Sequence, residues 1–261
     1  MLLATGGSRL AAGARLAETL GHTLVPAVPS LFAFDCRDPR LEGLAGVSVP
    51  DAETSVEGMK LTTRGAVLIT HRGLSGPGIL KLSAWAAREL HAARELHARN
   101  YQFTVRINWL PDTSAADVLR DARQSRGKQQ VHSRAPLGQF PKRLWKKLCT
   151  AAEVPPDCQW AQLGKKSADS LARELTGASY HISGKSLNKD EFVTCGGVPL
   201  KEVNLATMES KTTPGLHFAG ELLDVDGVTG GFNFQNAWTT GFLAGRGIRQ
   251  PEFCLRSPNY P

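Results

Sequence analysis

Three carboxylates and two glycine pairs carry the chemistry most visible in this sequence. Toward its end the chain reads Phe218-Ala-Gly220-Glu221, then Asp224-Val-Asp226, then Thr229-Gly230-Gly231-Phe232-Asn233. The apolar run from Leu216 to Ala219 reads as a buried parallel strand, and the stretch after Gly231 as a helix. Ligands of α/β sheets sit beyond the carboxyl ends of strands, where a helix N-terminus offers free N–H groups and the positive end of a dipole. Thr229 to Asn233 would aim such donors at an electron-rich edge, and Glu221 would accept hydrogen bonds from hydroxyls of a sugar-like chain. A packed β–loop–α unit with solvated acids has the same spacing, so spacing leaves both readings open. Calcium is a poor match for Asp224 and Asp226, because the third carboxylate and the closing Glu of an EF-hand loop are missing. At the other end Ala4-Thr5-Gly6-Gly7 repeats the pattern of strand end, glycines and helix.

Other reactive types are less productive. Gly73-Leu-Ser75-Gly-Pro77 is one residue short of a GxSxG nucleophile elbow, so Ser75 is expected to cap the following helix, with Pro77 in its first turn. His71 is read as a hydrogen-bonded structural histidine. The five cysteines (Cys36, Cys149, Cys158, Cys195, Cys254) include no pair two residues apart, which excludes zinc-finger and thioredoxin spacing and points to a reduced, cytoplasmic thiol set. His91 and His97 stand six apart in a duplicated hexad, Ala86 to His91 and Ala92 to His97, whereas ligands on one helix face need three or four.

These residues need elements to position them. Arg9 to Leu20 has helical periodicity, with Leu10, Ala14, Ala17 and Leu20 on one face and Gly21 as the residue past its end. Short apolar pulses between Gly and Pro follow, including Val47–Val49 and Val67–Thr70, and read as a strand-rich module. A helix is expected from Ser75 through the duplicated hexad, the second copy lengthening a surface helix. Tyr101–Asn108 alternates as a strand. The period then becomes helical at Ala115–Arg126, Gln139–Ala152 and Ser167–Thr176. Strands return at Ala178–Ile182 and Glu191–Cys195. In the last helix Phe234, Ala237, Trp238, Gly241, Phe242 and Gly245 form a stripe expected to face the core, with Gly241 close to a neighbouring backbone.

With 261 residues, 41% hydrophobic and 21% charged, the chain can build a sizeable core in one or two domains. No apolar run is long enough for a spanning helix, and Met1 to Ala4 is too short for the apolar region of an export signal. The net charge of +7 is uneven: Arg120 to Thr150 holds nine Lys or Arg against one acid, Asp121, while the remainder is about neutral. A module docking RNA or another polyanion on helices 120–147 is the competing function class. Only Phe140 and Trp145 interrupt that segment as aromatics, so stacking platforms are thin. A solvated face is the default for such a run, and a small molecule, not nucleic acid, is the expected partner.

Taken together, Leu3 to Gly7, Leu20-Gly-His22, Thr70 to Pro77, Val193 to Val198, Thr207 to Lys211 and Gly220 to Trp238 resemble the YhiN/BaiN-type flavoproteins, in the same order and nearly end to end. That resemblance implies an α/β chain, α+β overall, built on a two-dinucleotide-fold FAD domain. Residues 1–25 and 190–261 would belong to that domain, 26–110 and 177–189 to a strand-rich insert, and 111–176 to a small helical subdomain. It implies FAD as cofactor, with a reduced nicotinamide, NAD(P)H, as electron donor, although no nicotinamide fingerprint is visible. Ala4, Thr5, Gly6 and Gly7 would line the dinucleotide side of FAD. Gly220 and Glu221, followed by Asp224, would lie along the ribityl and pyrophosphate. Thr229, Gly230, Gly231, Phe232 and Asn233 would face the isoalloxazine, approached also by Gly196 and Gly197. No protein acid or base is indicated. The GxGxxG segment that grips the ADP half in such proteins does not occur here. The sequence therefore resembles a C-terminal portion of a longer flavoprotein, expected to be inactive alone.

Overall fold

The computed structural model describes residues 1–7, 12–97, 101–138, 140–185 and 193–249, with backbone only at 93–97 and 249. In chain order the first elements are β1 (Leu2–Leu3), α1 (Ala12–Thr19), β2 (Val25–Ser30), β3 (Phe34–Asp35), β4 (Ser48–Val56), β5 (Thr62–Ile69) and β6 (Gly73–Ser75). Next come α2 (Pro77–Trp85), α3 (Ala87–His97), β7 (Phe103–Asn108), α4 (Ala115–Ser125), α5 (Lys142–Ala151), α6 (Lys165–Thr176), β8 (Ala178–Ile182) and β9 (Gly184–Lys185). The last are β10 (Val193–Gly197), β11 (Val203–Asn204), β12 (Glu209–Ser210), β13 (His217–Phe218) and α7 (Phe232–Arg249). The architecture is α+β, in two compact units: Met1–Leu31 with Asp190–Pro261, and Phe32–Lys189. Among the described residues no helix is long and apolar enough to cross a membrane.

The first unit holds a four-stranded sheet in the order β1-β13-β12-β11, with β1 parallel to β13, and a separate antiparallel pair of β10 and β2. Its core gathers Leu3, Ala17, Val198, Met208, Phe218, Leu223 and Ala244. Helix α1 ends as its sequence implies: Gly21 takes a positive φ, and the N–H of His22 returns to the carbonyl of Ala17 at 3.0 Å. His22 then fixes the corner. Its Nδ1 lies 2.9 Å from Glu202 Oε2, its Nε2 lies 2.8 Å from Ser210 Oγ, and its ring meets Phe218 edge-on.

Helix α7 corrects one expectation. Phe234, Trp238 and Phe242 are 69%, 69% and 64% exposed, and a Cβ on Gly241 or Gly245 would meet nothing within 4 Å. The packed face is instead Thr240, Ala244 and Gly247, where small residues let the helix lie on the sheet. An aromatic row is apolar whether or not anything covers it, so composition alone picked the wrong face.

The second unit is a seven-stranded antiparallel sheet, β8-β7-β4-β5-β6-β3-β9, with helices on it. Alternation is clean in β7, where Val105 and Ile107 are buried, and in β8, where Ala178, Tyr180 and Ile182 are. Helix α2 lies over β4 and β5. Beneath it the buried hydroxyls of Thr54 and Thr63 pair at 2.8 Å, and Thr63 donates to the carbonyl of Gly78 at 2.8 Å. Ser75 does not cap α2. It ends β6, and α2 begins behind Gly76 with no side-chain cap. The single helix expected through the hexads is two, broken at Ala86, and Leu90 of the first copy is buried. The side chains of the second copy from Ala93 onward lie outside the described residues.

Helices α4, α5 and α6 belong to this unit. Ser114 caps α4 by accepting from the N–H of Asp117 at 3.3 Å. Leu119, Leu144, Leu148, Leu171 and Leu175 are buried, as is Trp145, whose Nε1 donates to the carbonyl of Val131 at 2.7 Å while its ring stacks on Trp160.

Candidate functional site

The parallel pair sets the site. Leu2 pairs with His217 and Leu3 with Phe218, and the N–H of Ala219 donates to the carbonyl of Leu3 at 3.0 Å. Both strands therefore end at the same edge and deliver their turns side by side: Ala4–Gly7 from β1 and Gly220–Glu221 from β13. The Glu221 carboxylate stitches three segments together. Its Oε2 accepts the N–H of Gly7 at 3.1 Å and its Oε1 the N–H of Thr194, in β10, at 3.2 Å. Gly7 has to be glycine, because a Cβ there would stand 2.8 Å from the Cβ of Thr194.

Strand β10 continues the wall. Gly196 and Gly197 take φ of 116° and 136°, which lets the strand pass along the 220–224 segment. The N–H of Val198 donates to the carbonyl of Leu222 at 2.8 Å, and the N–H of Asp224 returns to the carbonyl of Val198 at 2.9 Å. Asp226 is tied down too, its Oδ2 accepting from Ser30 Oγ at 3.0 Å.

Helix α7 closes the arrangement. Gly220 donates its N–H to Thr240 Oγ1 at 2.9 Å, which holds the strand-end turn against the helix. Gly230 and Gly231, at φ 125° and 86°, turn the chain beside Thr229 into its first turn. The first helical bond runs from Gln235 to Gly231, so the N–H groups of Phe232, Asn233 and Phe234 precede it and donate to no acceptor among the described residues. The Asn233 side chain is held in place: its Oδ1 accepts the N–H of Gly227 at 2.7 Å and one hydrogen of its Nδ2 goes to the carbonyl of Gly227 at 2.9 Å. The second Nδ2 hydrogen joins the backbone N–H groups as a donor at this helix start.

The structure thus brings Ala4–Gly7, Gly196, Gly197, Gly220 and Glu221 together through backbone hydrogen bonds, with Thr229–Asn233 at the N-terminus of the helix that packs on Gly220. Thr194, Thr240 and Ser30 complete the set. Sequence spacing gave no signal for them, because each acts through a backbone N–H or a hydroxyl whose partner lies far along the chain. Chemically the arrangement is a cradle of backbone donors at parallel strand ends, suited to holding and orienting a planar or anionic group.

The second unit contains a separate cavity of about 790 Å³, lined by Asp35, Cys36, Arg37, His71, Arg72 and Ser183 among others. His71 stands exposed at the tip of a turn closed by Thr70, whose N–H donates to the carbonyl of Gly73 at 2.8 Å, and among the described residues its side chain makes no hydrogen bond, contrary to the expected structural role. Arg72 pairs with Asp35 Oδ2 at 2.6 Å. Burial, with the neighbouring negative charge of Asp38, pushes the Cys36 thiol up to about 12.

Residues 28–193 match the family described as HI0933-like protein barrel and H2TH domain. The chain is similar to the ribosomal RNA dihydrouridine synthase of Escherichia coli (strain K12), 32% identical over 258 residues, covering 95% of this chain and 60% of that protein. It is also similar to the ribosomal RNA dihydrouridine synthase of Haemophilus influenzae, 30% identical over 257 residues, with 95% and 60% covered. The 3-dehydro-bile acid delta(4,6)-reductase of Clostridium scindens is 30% identical over 238 residues, with 90% of this chain and 56% of that protein covered. The chain spans at most 60% of the length of these relatives.

Proposed function

The chain belongs to the HI0933-like family of FAD-dependent flavoproteins, and on that premise we propose that it forms the flavin-ring side of a reductase for carbon–carbon double bonds conjugated to a carbonyl. The observation that carries this reading is the Glu221 clasp, which gathers two parallel strand ends and β10 into one cradle. The residues fit a flavin: Gly6, at φ 74°, has open space beside it at the strand end, and three backbone donors wait at the start of α7. Ala4–Gly7, Gly220 and Glu221 would lie along the ribityl and pyrophosphate. Thr229–Phe232, with Gly196 and Gly197, would face the ring. The sequence has no GxGxxG, so the ADP half calls for a wall of that type besides these residues.

The names of the relatives share one chemistry. Dihydrouridine is uridine with its ring alkene reduced, and a Δ4,6-reductase acting on a 3-oxo steroid reduces alkenes conjugated to that ketone. Reducing an alkene conjugated to a carbonyl calls for a hydride at its electron-poor end, β or vinylogously δ to the carbonyl, and a proton on a carbon of the resulting enolate. Bound FAD would supply the hydride, drawn from a reduced nicotinamide. The share of this chain is to bind and orient. Glu221 keeps the walls together, and the N–H groups of Phe232, Asn233 and Phe234, with the helix dipole, favour negative charge at the ring edge they face. Cys36, Cys149, Cys158 and Cys195 are buried and form no disulfide among the described residues, which suits a reaction in the reducing cytoplasm. The substrate is either a small unsaturated ring compound or a uridine within RNA.

Expressed alone, the chain should purify without stoichiometric flavin absorbance. Joined in frame to a GxGxxG strand–turn–helix segment, it should be yellow and bleach with reduced nicotinamide. Stoichiometric flavin in the chain alone, or an extended protein that stays colourless, would sink the reading.

A further inference from the structure

We propose that the outer face of α5 is an RNA phosphate-docking surface. This rests on the reductase reading, of which it selects the RNA branch. Lys142, Arg143, Lys146 and Lys147 occupy one arc of the helix, while Leu144, Trp145, Leu148 and Cys149 fill the opposite, buried arc. No acid occurs on α5. Lys142 and Lys146 are exposed and belong to no ion pair among the described residues. Arg143 and Lys147 are held, but by carbonyls: Arg143 donates to Gly43, and Lys147 Nζ to Pro39 at 3.1 Å. Carbonyl partners fix their stems in place and leave their charge uncancelled.

Neighbouring cations follow the same rule. Arg123 donates to the carbonyl of Ala161 and Arg126 to that of Ala135, while Lys128 and Arg134 have no carboxylate partner among the described residues. A solvated basic face usually carries interspersed acids that trim its potential. Here nine cations between Arg120 and Thr150 share that stretch with a single acid, Asp121; Arg120, on α4, is the exception to the rule, paired with Asp117 at 2.6 Å and near Asp121 at 3.8 Å. Several point charges on a rigid, tethered helix are what a row of phosphates recognises.

The buried aromatics choose between forms of RNA. Trp145 is enclosed and stacked on Trp160, so α5 offers no exposed platform for unstacked bases. Backbone contacts without stacking suit a folded, base-paired RNA read by shape.

The test is fluorescence anisotropy of the chain with a labelled RNA hairpin across a salt series. Four phosphate contacts predict a log–log slope of about −3. Lys142→Glu with Lys146→Glu should lower affinity about tenfold or more at low salt and flatten the slope by about 1.5. The control is Lys60→Glu with Lys211→Glu, which reverses the same number of charges on residues outside α5. Equal losses in both variants would reduce the effect to net charge and overturn the surface. A slope near zero in the parent, or tighter binding of unpaired oligouridine than of the hairpin, would overturn it as well. Because hairpin binding needs no flavin, a failure here leaves the reductase reading standing with a small-molecule substrate. A colourless extended protein leaves this surface standing.

Discussion

Glu221 accepts the backbone N–H of Gly7 from 214 residues away, at 3.1 Å, and with its other oxygen accepts that of Thr194. The pair joins the ends of two parallel strands, so each partner has a distinct failure. Glu221→Ala strips acceptors from two half-buried donors and should cost about 1–3 kcal/mol, with Glu221→Gln intermediate because one oxygen survives. Gly7→Ala should cost a similar amount by a different route, since its Cβ would press on Thr194. Thermal unfolding of the three variants checks both. A Gly7→Ala protein melting with the parent would show that the turn and β10 do not meet as described.

Two glycines on one helix should respond in opposite directions. A Cβ at Gly241 enters open space, so Gly241→Ala should stabilise α7 by about 0.5–1 kcal/mol through backbone entropy alone. A Cβ at Gly247 would lie 2.6 Å from the carbonyl oxygen of Thr207, so Gly247→Ala should destabilise. Chemical denaturation of both variants settles which face of α7 is packed. A stabilised Gly247→Ala protein would put the contact elsewhere.

Arg40 organises the loop beside the large cavity. Its guanidinium forks onto Asp38 at 2.7 and 2.8 Å, reaches Glu174 Oε2 at 2.7 Å and sits 4.1 Å over the Tyr180 ring. Burial would raise the carboxyl of Asp38, but hydrogen bonds from Arg40 win and hold it below the ordinary range. A depressed carboxylate contributes stability that is present above its unfolded value and lost as pH falls through the folded one. The parent should therefore lose stability from about pH 4 downward. Arg40→Met should cost about 2–3 kcal/mol near neutrality, part of the penalty for unpairing partly buried charge, and flatten that acid limb. Arg40→Lys keeps the charge and loses the fork, so it should recover only part. An unchanged acid limb in Arg40→Met would assign the dependence to other carboxylates.

Much of this architecture is legible in the residues, for reasons that differ by element. Ala178–Ile182 alternates strictly and forms β8 over those residues; α4, α5 and α6 follow their leucines to within a few residues. Local periodicity sufficed there because each element meets its core with one face. The glycines near Gly7 and Gly220 could be picked out for the same local reason, as strand ends before helices. The Glu221 clasp was not legible, since its partners are backbone groups that every residue possesses. Ser75 looked like a cap because of Pro77, but the register of β6 on β5 places it in the sheet. The α7 row misled because burial depends on what lies opposite, and sequence reports only what is apolar.

The thiol of Cys36 lines the 790 Å³ cavity beside His71 and Arg72, a setting that invites a nucleophilic role. Its environment argues the reverse. Burial, with the negative charge of Asp38 nearby, pushes it up to about 12, and burial does the same to Cys149, in the α5 core. At pH 8 such thiols are about one part in ten thousand thiolate, the only form that attacks an alkylating agent. Iodoacetamide at pH 8, followed by peptide mass mapping, should leave Cys36 and Cys149 unmodified in the native protein and label both in denaturant. Cys149 controls for global unfolding, because nothing but loss of the helical core exposes it. Labelling at Cys36 while Cys149 stays protected would mean that the cavity wall opens and that the thiol is available for chemistry. Protection at both would leave the polar rim, Arg37, His71 and Arg72, as the groups through which the cavity meets a ligand.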